Sequence, residues 1–314
     1  ETGSFTCIEA FSYGLPVIAR NVYGLKSIIK DGINGYLLNN DDEIIEKLRG
    51  LMDNTMILNN REIIKEYSMR YDIIYKIKDF EDIIDENIFR KNLVIITSVL
   101  NCIDKPLSYY HTRSIFTVEE RYLQTMKSIE SIRKFIPNVE IMLCDASNLE
   151  EYSEMEEEIR KSVDYYHNFY GNNVIKASVE SEYKGLGEAH LLLEALKKVG
   201  CNNNYFVERY NNVFKLSGRY YLNSMFKYDD FNGKTNVFTY WDGSTTSFST
   251  IFYKISGKCI EDFMIALTEM TEELEKGMSI EIGIYLKMHE NNCIILDKLN
   301  VSGFLATEGY MVTV

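Results

Sequence analysis

The first nine residues of the sequence, ETGSFTCIE, combine two glutamates with a glycine-containing turn. Glu1 and Glu9 are separated by seven residues. The turn between them contains Gly3, Ser4, Phe5 and Thr6. Such a loop leads into a helix whose first N–H groups have no partner within the helix, and a helix N-terminus of this kind can hold a diphosphate. The alternative is that Glu9 is an ordinary surface residue of a helix.

A second stretch, VFKLSGRYYL, brings two cations close together. Lys215 and Arg219 are four residues apart in a strand-like run, so the sequence predicts both side chains on one face of a strand. Gly218 lies between them and would let a ligand approach the backbone closely. Two cations in this arrangement can neutralise a diphosphate. The alternative is an arginine that pairs with a carboxylate at the end of a sheet.

Two carboxylates are candidates for a general base. Glu281 lies in the apolar run MSIEIGIYLKMH, where burial would raise its pKa and suit it to take a proton from an acceptor hydroxyl. Asp242 lies in YWDGST beside the single Trp, a side chain suited to stacking on sugar. A solvated glutamate and a turn aspartate are the alternatives. The four histidines have no zinc-binding spacing.

Periodic patterns predict the elements that must position these residues. Residues 1–90 have the order helix, strand, turn, strand, helix, as in the back half of a doubly wound sheet. A new buried strand, KNLVIITSVLN, begins at residue 91, and a helix with a capping-box pattern from Thr117 to Glu120 follows it. The sequence therefore predicts the α/β class: a truncated Rossmann-like half domain, 1–90, and a second domain with a mixed central sheet, 91–314.

Further candidates lie at strand and helix ends of the second domain. Thr97, Ser98 and Asp145 end its first two strands, and ligands of such sheets bind outside the carboxyl ends, so we expect these residues near a nucleoside. Lys184 directly precedes two glycines in SEYKGLGEAH, in a glycine-containing loop where a helix opens, which suits a phosphate contact. Generic strand ends and an ordinary glycine loop are the alternatives.

Composition restricts the class of function and the compartment. The 314 residues have a formal net charge of −13, so the basic excess of a nucleic-acid-binding surface is absent. The six cysteines have no metal-binding spacing, which indicates a reduced, cytoplasmic protein. No apolar run has the length of a membrane span; peripheral membrane association through parts outside this sequence stays open.

The opening stretch resembles a known family. ETGSFTCIEAFSYGLPVIA followed by GLKSIIKDGINGYLL is similar to the C-terminal half of retaining glycosyltransferases of the GT-B fold. The resemblance implies that Glu1 lies near a donor sugar, that Glu9 reaches ribose hydroxyls, and that the turn between them holds the diphosphate. It also implies that residues 1–90 are the end of a truncated donor domain that does not catalyse by itself.

The pattern of the second region resembles the nucleotide-diphosphosugar transferases of the GT-A fold. That family holds a divalent metal through an Asp-x-Asp motif, and no Asp-x-Asp occurs in this sequence. We therefore expect Lys215 and Arg219 to replace the charge of the metal at the leaving diphosphate. No metal ligand and no obligatory cofactor is predicted, and dependence on a divalent metal stays open.

These observations together predict a cytoplasmic glycosyltransferase fragment of polysaccharide biosynthesis. Its second domain would transfer a sugar, of hexosyl or another type, from a nucleotide-diphosphate donor to a glycan acceptor. The alternative is a non-catalytic glycan-binding or assembly module fused to a GT-B enzyme. A nucleotidyltransferase is disfavoured because NCIDKPLSYYHTRS, after the first strand, contains no phosphate-binding loop.

Overall fold

The structure is a computed structural model that describes residues 5–22, 24–52, 61–69, 91–200, 206, 209–241 and 243–314. The chain forms two compact units, Glu1–Asn87 and Ile88–Val314. None of the helices in these ranges is both long enough and apolar enough to span a membrane.

The first unit contains a two-stranded parallel sheet and three described helices. The strands are β1 (Val17–Arg20) and β2 (Gly35–Leu38). The helices are α1 (Phe5–Ser12), α2 (Asp41–Met52) and α3 (Arg61–Met69). Its small core consists of Cys7, Phe11, Ile28, Ile29 and Ile64. The predicted order of helix, strand, turn, strand and helix is confirmed.

Packing accounts for the residues of the turn DGINGYLL. Asn34 is fully buried; its Oδ1 accepts a hydrogen bond from the Lys30 N–H at 2.6 Å, and its Nδ2 donates to the Ile28 carbonyl at 3.0 Å. A Cβ at Gly35 would lie 2.2 Å from the Val17 carbonyl oxygen, so only glycine lets β2 approach β1 there. This turn therefore needs its Asn and Gly for folding, whatever the unit binds.

The second unit is built around a seven-stranded mixed sheet. Its strands are β3 (Lys91–Ser98), β4 (Val139–Asp145), β5 (Tyr165–Asn168), β6 (Tyr210–Ser217), β8 (Asn236–Phe238), β9 (Phe252–Ser256) and β10 (Cys293–Ile295). Their order is β10-β8-β9-β6-β3-β4-β5, and β9 runs against the other six. The predicted α/β class with a mixed central sheet is confirmed.

Helices cover both faces of this sheet. They are α4 (Val118–Phe135), α5 (Ser153–Ser162), α6 (Asn173–Val179), α7 (Lys184–Lys198), α8 (Ile260–Glu269), α9 (Thr271–Glu275) and α10 (Ile280–Met288). Along β3, Leu93 and Ile95 belong to the core that contains α7, whereas Val94 and Ile96 belong to the core that contains α4. This alternation is why an unbroken apolar run forms the centre of the sheet.

A smaller antiparallel sheet continues from the end of β6. It consists of β7 (Tyr220–Leu222), β11 (Val301–Phe304) and β12 (Met311–Thr313), in the order β12-β11-β7. A Cβ at Gly303 would lie 2.5 Å from the Arg219 carbonyl oxygen, so glycine permits β11 to pack against the start of β7. The chain segment that carries Arg219 is thereby fixed between two sheets.

The long helix α4 begins as the sequence predicts. Thr117 Oγ1 accepts a hydrogen bond from the Glu120 N–H at 3.2 Å, and the Glu120 carboxylate accepts one from the Thr117 N–H at 2.9 Å. This reciprocal capping box satisfies two N–H groups that the helix leaves unpaired. It fixes the point at which the loop after β3 returns to regular structure.

Candidate functional site

The central strands of the second unit end beside a cavity. β3 pairs with β4 on one side and with β6 on the other, all in parallel, so Ser98, Asp145 and Ser217 end at the same edge of the sheet. From β3 the chain continues to β4 and β5 on one side of the sheet, and then to β6 on the other side of β3. α/β proteins hold ligands at such a point of the sheet. The cavity has an empty volume of about 780 Å³, including its open mouth. It is lined by Thr97, Ser98, Val99, Cys102, Arg113, Arg121, Thr125, Val179, Lys184, Gly187, Glu188, Leu191, Ser217, Gly218, Arg219 and Ala306.

The structure brings four of the candidates from the sequence together at this cavity: Thr97, Ser98, Lys184 and Arg219. Asp145, Lys215 and Glu281 lie in the layer of residues behind its wall, as their contacts below show. Three candidates of the first unit, Phe5, Thr6 and Glu9, are exposed residues of α1. Glu1, Gly3, Ser4 and Asp242 lie outside the described residues.

Helix α1 begins earlier than the sequence suggests. Phe5 and Thr6, expected in a turn, form the first turn of this helix, and Phe5 is 87% exposed. Cys7 and Phe11 point into the core of the first unit, so Glu9 lies on the outer side of the same helix.

Asp145 anchors the loop that follows β3. Its fully buried carboxylate accepts hydrogen bonds from the Leu100 N–H at 3.0 Å, from the Ser147 N–H at 2.8 Å and from the Ser147 hydroxyl. Burial raises the pKa of Asp145, and these hydrogen bonds oppose the rise. Asp145 therefore shapes the wall of the cavity from behind.

Arg121 carries a buried positive charge into the cavity wall. It is only 4% exposed; its Nε donates to the Val99 carbonyl at 2.9 Å and its Nη1 donates to the Ser114 hydroxyl at 3.0 Å. Burial lowers the pKa of Arg121 to about 10, and the nearby charge of Arg219 contributes to the decrease. Arg121 is still protonated at neutral pH, so it adds positive potential to the cavity.

Arg113 ties the loop after β3 to helix α6. Its Nε donates to the Lys105 carbonyl at 3.2 Å, its Nη1 to the Val179 carbonyl at 2.8 Å and its Nη2 to the Ser181 carbonyl at 2.6 Å. A cation at a helix C-terminus satisfies carbonyl groups that the helix leaves unpaired. Arg113 thus closes one side of the cavity and contributes a positive charge to it.

Among the described cations that line the cavity, Lys184 and Arg219 make the fewest hydrogen bonds to the protein. Within the described ranges, the Lys184 ammonium has no hydrogen bond or ion pair, and the residue keeps an exposed side at the mouth of the cavity. Crowding by protein atoms, and next the charge of Arg219, lower the pKa of Lys184 to about 8, so it is protonated at pH 7. Arg219 makes one long hydrogen bond, from Nε to the Phe304 carbonyl at 3.4 Å, and its guanidinium lies 5.7 Å from the centre of the Tyr220 ring.

The prediction that Lys215 and Arg219 share one face of a strand is wrong. β6 ends at Ser217 and β7 begins at Tyr220, so Arg219 lies in the turn between two strands. A glycine inside a strand-like run marked this break. A Cβ at Gly218 would make only ordinary contacts, none shorter than 3.4 Å, so the structure does not require glycine there for packing.

Lys215 is buried behind the cavity and fully engaged. It is 2% exposed, and its ammonium donates to the Glu188 carboxylate, to the Thr250 carbonyl and to the Ser217 hydroxyl at 2.8 Å. An ammonium has three N–H donors, and each has an acceptor here. The charge of Lys215 therefore acts first on Glu188, a residue of α7 that lines the cavity.

Glu281 is linked to the same cluster. It lies in the first turn of α10, where its Oε1 accepts a hydrogen bond from the Thr250 hydroxyl at 2.9 Å. Burial, and next the negative charge of Glu188, raise the pKa of Glu281. The raised pKa expected from the apolar run MSIEIGIYLKMH is thus found, although this run is a helix and Glu281 stands behind the cavity.

Sequence reasoning missed Glu188. It lies four residues after Lys184 on α7, and residues with this spacing share one face of a helix. A charged pair with that spacing at the start of a helix was the available signal. The ion pair with Lys215 had no signal, because it joins a helix to a strand that lies 27 residues further along the chain.

Two glycines of the cavity wall give opposite expectations for stability. A Cβ at Gly187 would lie 2.7 Å from the Val179 Cα, a backbone atom, whereas a Cβ at Gly218 would fit. We expect Gly187→Ala to lower the free energy of unfolding by about 1–3 kcal/mol, because α6 and α7 must separate. Gly218→Ala, the matched control, should unfold at the same urea concentration as the wild type. Equal unfolding midpoints for the two variants would contradict this packing argument.

The described residues contain no group of three or more His, Cys, Asp or Glu side chains that could hold a metal ion. The charged residues of the cavity are mostly cations, and their chemistry fits an anionic ligand.

Comparison with known proteins finds a family model that is similar to part of the first unit. Residues 1–70 match the model of the family "Glycosyl transferases group 1". This match covers less than a quarter of the chain and ends before the second unit begins. It agrees with the resemblance carried by ETGSFTCIEAFSYGLPVIA and GLKSIIKDGINGYLL. No curated protein matches the chain.

Two solved structures are similar to part of the chain. The apo-form glycosyltransferase GlyE of Streptococcus pneumoniae TIGR4 has a TM-score of 0.38 and 12% identity, over 66% of this chain and 45% of that one. The apo form of mouse xyloside xylosyltransferase 1 has a TM-score of 0.35 and 8% identity, over 66% of this chain and 84% of that one. The matched region thus spans less than half of the GlyE chain.

Proposed function

We propose that the second unit is a glycosyltransferase domain that binds a nucleotide-diphosphate sugar in the cavity and transfers the sugar to a glycan acceptor. The observation that carries this proposal is the group of cations at the carboxyl ends of β3 and β6. Lys184 and Arg219 have little commitment to protein partners, and Arg121 adds charge from behind. Arginine and lysine are the side chains suited to a diphosphate.

The cations have a role in the chemistry as well as in binding. A leaving nucleoside diphosphate gains negative charge in the transition state, and preorganised positive groups in a partly closed site stabilise it. Lys184 and Arg219 would contact the diphosphate, and Lys215 would support the site through Glu188. We propose that this arrangement needs no obligatory divalent metal, since the sequence has no Asp-x-Asp.

The remaining candidates have proposed roles either at the donor nucleotide or at the acceptor hydroxyl. Thr97 and Ser98, at the end of β3, would lie near the nucleoside. Glu281 stays a proposed base toward an acceptor hydroxyl, because the raised pKa of its carboxylate makes it a better proton acceptor, although it stands behind the wall of the cavity. Asp242 remains a second proposed base.

The first unit has a separate proposed role. We propose that it is the C-terminal part of a GT-B donor domain, in which Glu1 and Glu9 contact the donor. The match of residues 1–70 to the group 1 family supports this proposal. The whole chain would then combine two glycosyltransferase units of polysaccharide biosynthesis, located in the cytoplasm.

Ligand binding by the intact chain tests the proposal for the second unit. We expect UDP or GDP to raise the melting temperature, because a ligand that binds only the folded state adds RT ln(1 + [L]/Kd) to its stability. At a hundred times Kd this is about 2.7 kcal/mol. Uridine and guanosine, which lack phosphate, are the matched controls and should have little effect. If no nucleoside diphosphate and no pyrophosphate stabilises the protein, the proposal is wrong.

A further inference from the structure

Glu188 is an exception among the charged residues of the cavity. Among the described residues that line it, Glu188 is the one carboxylate, and the other charged side chains are Arg113, Arg121, Lys184 and Arg219. A negative charge in this position repels a diphosphate, so it weakens the binding of a ligand that consists of phosphate alone. Its ion pair with the buried ammonium of Lys215 explains the charge, and the side of Glu188 that borders the cavity is left for a ligand.

Lys215 holds the Glu188 carboxylate in place. One carboxylate oxygen, Oε1, accepts a hydrogen bond from the ammonium of Lys215, which Ser217 and Thr250 fix from the other sides. The Lys215 side chain is 2% exposed and that of Glu188 is 15% exposed. Because Lys215 holds Oε1 in place, the second carboxylate oxygen of Glu188, Oε2, also has a fixed direction.

The second oxygen of Glu188 has an open acceptor position. No described residue donates a hydrogen bond to Oε2, and the exposed part of the side chain borders the cavity. An ionised carboxylate can accept at both oxygens, and the 15% exposed side chain of Glu188 leaves Oε2 open to solvent or to a ligand in the cavity. A ligand group that binds there needs a donor without negative charge, which a hydroxyl group provides and a phosphate does not.

We infer that Glu188 is a specificity-determining residue that accepts a hydrogen bond from a sugar hydroxyl of the nucleotide-diphosphate ligand. The inference rests on the proposed function of this cavity. Such a ligand carries hydroxyls on both sides of its diphosphate, one set on the ribose and one on the transferred sugar. Glu188 thereby discriminates a diphosphate that carries a ribose or a transferred sugar from a bare diphosphate. Lys215 acts as the positioning residue.

The test compares ligands with and without the hydroxyl on the intact chain. Pyrophosphate, UDP, GDP, their 2′-deoxy and 3′-deoxy forms, UDP-glucose and GDP-mannose are titrated by calorimetry into the wild type and into Glu188→Gln. The substitution removes the charge but keeps an amide oxygen that can accept from Lys215. Glu194→Gln is the matched control. Glu194 lies on the same helix, forms an ion pair with Lys197 at 2.6 Å, and does not line the cavity.

We expect Glu188→Gln to bind pyrophosphate as well as the wild type does, or more tightly. It should bind the hydroxyl-bearing ligand about tenfold to a hundredfold more weakly, the effect of one hydrogen bond to a charged group. A loss that appears with UDP or GDP, and that a deoxy form reproduces in the wild type, assigns the partner to the ribose. A loss that appears only with UDP-glucose or GDP-mannose assigns it to the transferred sugar. Glu194→Gln should match the wild type throughout.

Three results would overturn the inference. The first is a variant that loses pyrophosphate and sugar nucleotide equally, since Glu188 would then serve only to neutralise Lys215. The second is a variant that loses neither. The third needs no variant and therefore holds even if Glu188→Gln does not fold: the wild type binds pyrophosphate as tightly as it binds every nucleotide and sugar nucleotide. A wild type that binds no diphosphate at all is a different result, and it removes the proposed function as well.

Discussion

Replacing Arg219 by alanine is expected to weaken the binding of a nucleoside diphosphate about ten- to a hundredfold. A charge-assisted hydrogen bond contributes roughly 1.5–3 kcal/mol, and about 1.4 kcal/mol corresponds to a factor of ten. Among the described residues, Arg219 has one long hydrogen bond, to the Phe304 carbonyl, and a contact with the Tyr220 ring, so its loss removes little stability in the free state. The expected change is therefore in affinity and turnover, measured by calorimetry and by release of nucleoside diphosphate from a sugar nucleotide.

Two further variants and one control variant test whether the loss of affinity is specific to the cations of the cavity. Lys184→Met should have a similar but smaller effect, because an ammonium acts as a point charge and lacks the planar fork of donors of a guanidinium. Arg219→Lys should recover part of the affinity, since it restores charge without the planar fork of donors. Arg133→Ala is the matched control, because Arg133 is a surface residue that pairs with Asp164 at 2.7 Å. EDTA should leave the wild type active. Loss of activity in EDTA, or normal binding by folded Arg219→Ala and Lys184→Met, would refute the metal-independent cation site.

Replacing Asp145 by alanine is expected to have the largest effect on stability. The carboxylate is fully buried and is the acceptor for the Leu100 and Ser147 N–H groups. Each N–H that is left buried without an acceptor costs about 1–3 kcal/mol, so the two together cost about 2–6 kcal/mol. Small domains are stable by only about 5–15 kcal/mol, so this loss is a large fraction of the total. Urea unfolding of the intact chain measures it.

Two milder substitutions separate the hydrogen bonds at Asp145. Ser147→Ala removes only the hydroxyl donor, and we expect it to cost no more than about 1.5 kcal/mol. Asp145→Asn keeps one acceptor oxygen but turns an N–H toward the other donors. Its loss of stability should therefore lie between those of Ser147→Ala and Asp145→Ala. An Asp145→Ala protein that unfolds at the same urea concentration as Ser147→Ala would contradict the role of Asp145 as the anchor of the loop.

Local signals in the sequence predicted much of this fold. The apolar run in KNLVIITSVLN requires a strand that is buried on both faces, and β3 is the centre of the sheet. The capping box at Thr117 depends on residues three apart, so it is readable without tertiary structure. Strand β5 was not predicted: EEYSEMEEEIRKSVDYYHNFY reads as one solvated helix. Its Tyr, His and Asn residues form a half-buried edge strand, where neither an apolar run nor a clean alternation is needed.

The site was less predictable because its charges meet across long stretches of chain. Lys184 and Arg219 were recognised from the glycines beside them, and both line the cavity. The commitment of Lys215 to Glu188 could not be read locally, since it depends on the packing of α7 against the sheet. The glycines near Lys184 also had a different cause: a Cβ at Gly185 would lie 3.0 Å from the Ile280 Cβ, and Gly187 lies against Val179. A motif that suggests phosphate binding is here also a requirement of helix packing.

The central position of β3 has a consequence for how this protein is made. Asn92 of β3 pairs with Asn212 of β6, and the two residues are 120 positions apart in the chain. Ribosomes add roughly 5–20 residues per second, so β3 waits roughly 6–24 s after its own synthesis before β6 emerges. During that interval one edge of an apolar strand has no partner, and such edges pair readily with other chains. We therefore expect the yield of folded protein to depend on translation rate and on chaperones that cover β3 while the chain is still growing.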